Sequence, residues 1–185
     1  MKENKQLNAL ERYNTELHEA TREAIKDAMM LLAQEKSYDS ITVTEIIHKA
    51  GVSRSAFYKN YKSKQSVLID ILDSLLDEGI KLLSYTTSYR EKVIVLYNTF
   101  LANKGKFQLL LNAGLEGEIL KRVNEKTVLS TMPVKNRIYN LLWNGALYNF
   151  FIEWIKPEND IDLDSIIAIA DDLNVAAALL PKQIG

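Results

Sequence analysis

Apolar residues recur at spacings of three and four along most of this 185-residue chain, the period of helices that bury one face. Ala24, Ile25, Ala28, Met29 and Leu32 mark a first helix ending near Gln34. The polar first dozen residues are expected to fray, although Leu7, Leu10 and Leu17 can extend that helix upstream. Val67, Leu68, Ile71, Leu72, Leu75, Leu76, Ile80 and Leu83 predict a longer helix from Lys64 to about Ser84. Beyond it, Val93, Ile94, Tyr97, Phe100 and Leu101 give the inner face of a helix over about 90–102, closed by a break at 103–106. Short helices are expected over 107–111 and 116–128. A long helix should then enter at Pro133, where proline lacks only an amide that would be orphaned anyway, and stop near Ile155 before Lys156-Pro157. A last helix starts at Asp162 or Asp164 and carries Ile166, Ile167, Ile169, Ala170, Leu173, Ala176, Ala177 and Leu180. The fold class is all-α.

Between Thr42 and Lys64 the boundaries are chemical as well as periodic. Thr42 with Glu45 three residues on forms a capping box, in which the Thr oxygen takes an orphan amide and the Glu reaches back. Ile46, Ile47 and Ala50 form a short apolar face. Gly51 supplies the left-handed residue that ends it. Val52 can fill the turn, Ser53 caps the next helix, Arg54 to Asn60, and Ser63 caps the one beginning at Lys64. Two short helices around a glycine turn make a helix-turn-helix, whose second helix fits the major groove of DNA.

AGVSRSAFYKNYKSK, residues 50–64, resembles the DNA-binding signature of the TetR family of bacterial transcription regulators. Ala50-Gly51-Val52-Ser53, Phe57-Tyr58, Tyr61 and Ser63-Lys64 stand in the family's order and spacing. TREAIKDAMMLLAQEKSYDSITVTEI, residues 21–46, is similar to the family's first helix and the entry to its second. The similarity is concentrated between Thr21 and Leu72. It departs near Ser37, where the family usually has a glycine, and at Ser55 and Ala56, where Gly and Thr are usual. The resemblance implies an N-terminal three-helix DNA-binding domain over 1–65, a connecting helix from 64 to about 84, and a C-terminal helical regulatory and dimerisation domain over 66–185.

The second helix presents Arg54, Ser55 and Ala56 at its N-terminal end, the part that approaches base edges. Arg54 can pair with guanine through two hydrogen bonds, and the Ala56 methyl can touch thymine but cannot donate. Thr44 and Lys59 are candidates for base or phosphate. By resemblance, Tyr58, Asn60 and Lys64 contact the DNA backbone, with Lys64 also at a helix N-terminus, where amides point toward phosphate. Phe57 and Tyr61 are expected in the core.

Net charge is −1, yet the motif holds Lys49, Arg54, Lys59, Lys62 and Lys64 against Glu45 alone. A local basic face suffices for phosphate contacts. Acidic residues gather at the other end, from Glu153 to Asp172. No apolar run approaches the roughly 20 residues needed to span a bilayer. The N-terminus has no apolar core or cleavage site, and there are no cysteines. These absences fit a cytoplasmic protein without a cofactor or a sulfur-bound metal. Only His18 and His48 exist, and neither a phosphate loop nor a nucleophile elbow is present, so an enzyme is not expected.

The last two helices carry more apolar residues than one buried stripe requires. In TetR-like proteins these helices pair across a two-fold axis, and half-sites one helical turn apart likewise favour a homodimer on a palindromic operator. The same residues would equally serve as a monomer's core. The resemblance further implies a repressor modulated by a small-molecule effector. Tyr85, Tyr89, Tyr97, Phe100, Phe107, Trp143, Tyr148 and Trp154 can line its cavity, although aromatics at such spacing more commonly form plain core. An alternative is an activator or corepressor acting through a protein partner, for which YNFFIEWI, residues 148–155, would be the exposed apolar surface.

Overall fold

The computed structural model describes residues 2–156 and 161–179, with side chains for 12–88, 90–156, 161–169 and 171–172. Among these residues the chain is helical and contains no strand. The elements run α1 (Lys2–Glu35), a 3-10 turn (Tyr38–Ser40), α2 (Val43–Ala50), α3 (Arg54–Asn60), α4 (Lys64–Ser84), α5 (Tyr89–Ala102), α6 (Lys104–Asn112), α7 (Glu116–Thr127), α8 (Val134–Trp154) and α9 (Leu163–Leu179). The first helix is continuous from Lys2, where polar composition led to an expectation of fraying. Leu17, offered by the pattern as an upstream extension of the apolar face, is exposed.

The chain divides into two compact units, Met1–Leu72 with Leu109–Gly114, and Asp73–Gln108 with Leu115–Gly185. The division falls inside α4, whose Val67, Leu68, Ile71 and Leu72, within its first three turns, are buried in the first unit. In that unit α1 packs on α2 and α3, and α2 packs on α3. Ile25, Met29, Ile46, Phe57, Val67, Leu68 and Leu72 are completely buried. Full burial of one such side chain stabilises by about 1.5–3 kcal/mol.

In the second unit α5 packs on α9 and α7 on α8. Val93, Trp154, Ile166 and Ile167 form a core cluster, against which Tyr97, Phe100, Phe150 and Phe151 pack. The capping box of α5 is Ser88 with Glu91. Asn103 alone separates α5 from α6, a shorter break than the four residues expected; its side-chain amide donates to the Thr99 carbonyl at 2.9 Å. The α7–α8 contact has a polar seam. Buried Asn144 donates to Asn124 Oδ1 at 2.9 Å and to Thr127 Oγ1 at 2.8 Å, and Asn140 to the Thr127 carbonyl at 3.0 Å. Arg122 holds Asp73 of α4 through two hydrogen bonds of 2.9 and 2.7 Å. Among the described residues no helix is long and apolar enough to cross a membrane.

Candidate nucleic-acid interface

The helix-turn-helix is built by local polar chemistry. At the start of α2, Thr42 Oγ1 accepts from the Glu45 amide at 3.3 Å while Glu45 Oε2 accepts from the Thr42 amide at 2.9 Å. Lys36 adds an ammonium to Glu45 at 2.5 Å. The Lys36 contact first, then the Thr42 hydroxyl and amide, hold the Glu45 carboxyl down to about 2. Gly51 has φ of 65°, a left-handed conformation that costs a side-chain-bearing residue about 1 kcal/mol or more. Its following residue, Val52, returns an amide to the Ile47 carbonyl at 3.2 Å. Ser53 Oγ accepts from the Ala56 amide at 3.1 Å and so starts α3.

One face of α3 is anchored. Phe57 is completely buried, and its ring meets Tyr61 at 5.9 Å and Tyr58 edge-on at 5.3 Å. Tyr61 donates to Asp70 Oδ2 at 2.5 Å, and Arg22 of α1 reaches Asp70 Oδ1 at 2.5 Å. Burial opposes the charge on Asp70, but Tyr61, Arg22 and Lys26 outweigh it and keep its pKa below the usual carboxylate range. Burial, reinforced by Asp70, raises that of Tyr61.

The opposite face is open. Arg54, Ser55, Tyr58 and Lys59 are exposed and Ala56 is half-buried; Thr44, on α2, is exposed as well. The Arg54 guanidinium lies over the Tyr58 ring at 5.4 Å, a cation–π contact that narrows the directions it can take. Ser55 Oγ is 3.1 Å from Ser53 Oγ. Lys59 and Lys62 form no ion pair with another described residue.

Two residues from the expected DNA contacts are engaged within the chain. The Lys64 ammonium donates to the carbonyls of Tyr38, Asp39 and Ile41 at 2.9, 3.2 and 2.9 Å and sits 4.3 Å from the centre of the Tyr38 ring. Three carbonyls satisfy all three of its protons. Asn60 Nδ2 donates to the Ala56 carbonyl at 2.8 Å, and its Oδ1 faces His18 Nδ1 at 3.0 Å. Lys49 is also paired, with Glu35 at 2.8 Å. Of the five cations along the motif, Arg54, Lys59 and Lys62 remain without a carboxylate or carbonyl partner among the described residues. Sequence reasoning missed the Tyr38–Ile41 carbonyls and His18 as partners of this site. No short-range pattern points to either.

Among the described side chains, the aromatic residues considered for an effector fall in different surroundings. Tyr97 stacks on Trp154 at 5.2 Å, and Phe100 packs on Phe107 at 4.5 Å and against Phe151, so these rings fill the core of the second unit. Tyr85 and Trp143 are exposed, Tyr148 is half-buried, and the Tyr89 side chain lies outside the described residues. A groove of about 360 Å³ occurs elsewhere, lined by Val128, Ser130, Val134, Arg137, Ile138 and Leu141. Residues 148–155, considered as an exposed partner surface, place Trp154 in the core cluster with α5 and α9 and pack the half-buried Phe150 and Phe151 against it. The large exposed apolar residues of α8 precede them, namely Val134, Ile138, Tyr139, Leu141, Leu142 and Trp143.

Residues 25–71 match the family described as bacterial regulatory proteins, tetR family. The chain is 32% identical over 98 residues to the HTH-type transcriptional regulator YuxN of Bacillus subtilis, covering 49% of this chain and 33% of that protein. It is 28% identical over 162 residues to a second, YwcC, covering 78% and 66%. The matches thus span between a third and two thirds of these relatives' lengths. Among solved structures, Lin0861 of Listeria innocua shares the fold with a TM-score of 0.70 at 13% identity, covering 86% of this chain and 91% of that one. A TetR transcriptional regulator of Streptococcus agalactiae has a TM-score of 0.57 at 20% identity, over 88% and 97%. The dihydroxyacetone kinase operon activator DhaS has 0.59 at 17%, over 85% and 95%.

Proposed function

We propose, for a chain that belongs to the TetR family of bacterial regulatory proteins by its residues 25–71, that it is a sequence-specific DNA-binding transcriptional regulator. The observation that carries this reading is the geometry of α3. The helix is fixed on one side by Phe57, Tyr61 and Asp70, and it offers exposed Arg54, Ser55 and Lys59 on the other. A rigid short helix with a basic, solvent-facing N-terminal end is what major-groove readout needs. Arg54, Ser55 and Ala56 read bases, Thr44, Tyr58 and Lys59 meet bases or backbone, and Lys62 adds charge beside them. Lys64 serves the interface by holding the chain that enters α2.

The regulator acts as a homodimer on a palindromic operator in the cytoplasm. Supporting this are the exposed apolar residues on the first half of α8, with Ile169 of α9 also exposed. An isolated chain leaves them in water, and apolar patches of this extent commonly mark protein contacts. Repression modulated by a small molecule completes the reading. The groove beside Arg137 is the candidate place for such an effector, and its walls Val134, Ile138 and Leu141 belong to the same exposed face of α8. Activation through a protein partner loses its sequence support, because residues 148–155 contribute their large rings to the chain's own core.

Selection of bound duplexes from a random pool, at near-physiological salt, tests the reading. An enriched palindrome with half-sites about one helical turn apart is expected. Failure of the folded chain to enrich any sequence would refute it.

A further inference from the structure

We infer that His18 is a positioning residue for the recognition helix, holding the C-terminal end of α3 from α1. The inference rests on the DNA-reading role proposed for α3. His18 lies upstream of residues 25–71, which match the family, so the matched segment holds only the Asn60 side of the contact.

His18, Arg22 and Lys26 are spaced by four and share one face of α1. That face meets the end of α3 and the start of α4. Arg22 and Lys26 reach Asp70, at 2.5 and 3.9 Å, and the Arg22 guanidinium stands 5.6 Å from the centre of the Tyr61 ring. His18 reaches Asn60, the last residue of α3. The two Asn60 contacts define each other chemically. Its Nδ2 must be the donor to the Ala56 carbonyl, so Oδ1 faces the imidazole, and an oxygen there requires a proton on His18 Nδ1.

The consequence follows from length. α3 has seven residues, too few for its own hydrogen bonds to hold it, so its ends must be fastened by other groups. Ser53 fastens the start. Asn60 and Tyr61 fasten the end, and each is gripped by a residue of the same α1 face or by the carboxylate that face holds. Loss of the His18 contact leaves the Asn60 side chain held only by the Ala56 carbonyl of its own helix, with no tie to α1, and loosens the last turn, which carries Phe57 to Asn60. The orientation of Arg54 to Ala56 then broadens, although none of them touches His18.

The test compares the full-length chain with His18→Leu and with His18→Asn, whose amide can restore a donor near the Nδ1 position. Binding is measured to the duplex enriched by the wild-type chain and to an unrelated duplex, across a range of salt. Amide hydrogen exchange is followed in the DNA-free proteins. His18→Leu should lose about fivefold in affinity for the enriched duplex, the scale of one hydrogen bond. Its binding to unrelated DNA and its salt slope should not change, because no phosphate contact is removed. Exchange should accelerate at the amides of 58–61 and not at those of α2. His18→Asn should recover most of both effects.

Wild-type affinity and exchange in His18→Leu would overturn the proposal. So would acceleration spread evenly over the first unit, since that marks a stabilising contact without a positioning role. If the wild-type chain enriches no duplex, the DNA-reading role fails. Exchange confined to 58–61 would then still establish the grip on α3, and its absence would remove that too.

Discussion

The two units use different means to hold helices together. In the first, nearly every junction has a side chain assigned to it. Thr42 and Glu45 open α2, Gly51 closes it, Ser53 opens α3, Asp70 gathers Tyr61, Arg22 and Lys26, and Lys64 satisfies three carbonyls of the turn before α2. In the second, the core is aromatic and aliphatic, polar contacts such as Ser88–Glu91, Arg122–Asp73 and Asn140–Thr127–Asn144 lie around it, and the first half of α8 exposes large apolar residues. A surface meant to read a fixed groove benefits from over-determined geometry. One that pairs with another chain, as proposed for α8, benefits from available apolar surface.

The sharpest way to test that contrast is to remove one large side chain from each unit. Phe57→Ala should cost about 3–5 kcal/mol in denaturant unfolding, because a fully buried ring leaves a cavity under α3. Ile138→Ala, on the exposed face of α8, should stay within about 0.5 kcal/mol at protein concentrations where the chain is monomeric. Equal costs would mean that the α8 face is already covered within the chain.

A charge on that face should reveal its use. Ile138→Glu is expected to weaken self-association by about 2 kcal/mol or more, roughly thirtyfold, as for a central interface residue. Mass in solution across a dilution series reads the change. An unaltered dimer would move the interface off this half of α8.

How far each unit could be read from sequence follows the same division. Caps at Thr42 and Ser53 were legible because their partners lie three residues away. Gly51 was legible because a glycine directly after a short apolar face marks the left-handed end of a helix. Phe57 and Tyr61 were expected in the core and are buried there. Lys64 was not legible as a tether, since its partners lie 23 to 26 residues away in the chain and carbonyls carry no sequence signature. A lysine at a helix start after a helix-turn-helix has the same composition whether it faces phosphate or carbonyl. The aromatics of the second unit posed the converse problem. Periodicity put Tyr97 and Phe100 inside, but whether rings fill a space or surround one depends on neighbours such as Phe151 and Trp154 on another helix.

On the proposed function, Lys64 and Lys59 stand for a positioning cation and a contacting one. Lys59→Ala should weaken binding to all duplexes and reduce the salt slope by about one unit, as expected for a lost phosphate contact. Lys64→Ala should weaken binding to the enriched duplex by a similar amount, about 1–2 kcal/mol, with the slope unchanged. Its effect arises from loosening Tyr38–Ile41 ahead of α2. A slope reduced by one unit in Lys64→Ala would show that the ammonium leaves its carbonyls for DNA.

The smallest expected effect compares two carboxylates in equivalent roles. Glu45 and Glu91 both close capping boxes, one in each unit, and both have pKa values below the ordinary range. Glu91 is lowered by the amides of Thr87 and Ser88 and by the Thr87 hydroxyl, whereas Glu45 has Lys36 as its largest stabilising partner. A folded pKa below the unfolded value favours the folded state when the group is ionised. The contribution of Glu45 is therefore complete above its unfolded value near 4.5 and declines as pH falls toward about 2. Lys36→Met should raise Glu45 toward the ordinary carboxylate range while leaving Glu91 where it is, as followed by the side-chain carboxyl carbon resonances through an acid titration. Because both groups face solvent, the accompanying change in stability should be slight. If Glu45 does not move, its depression belongs to the capping box alone, and the two units would then share the same helix-start chemistry at this position.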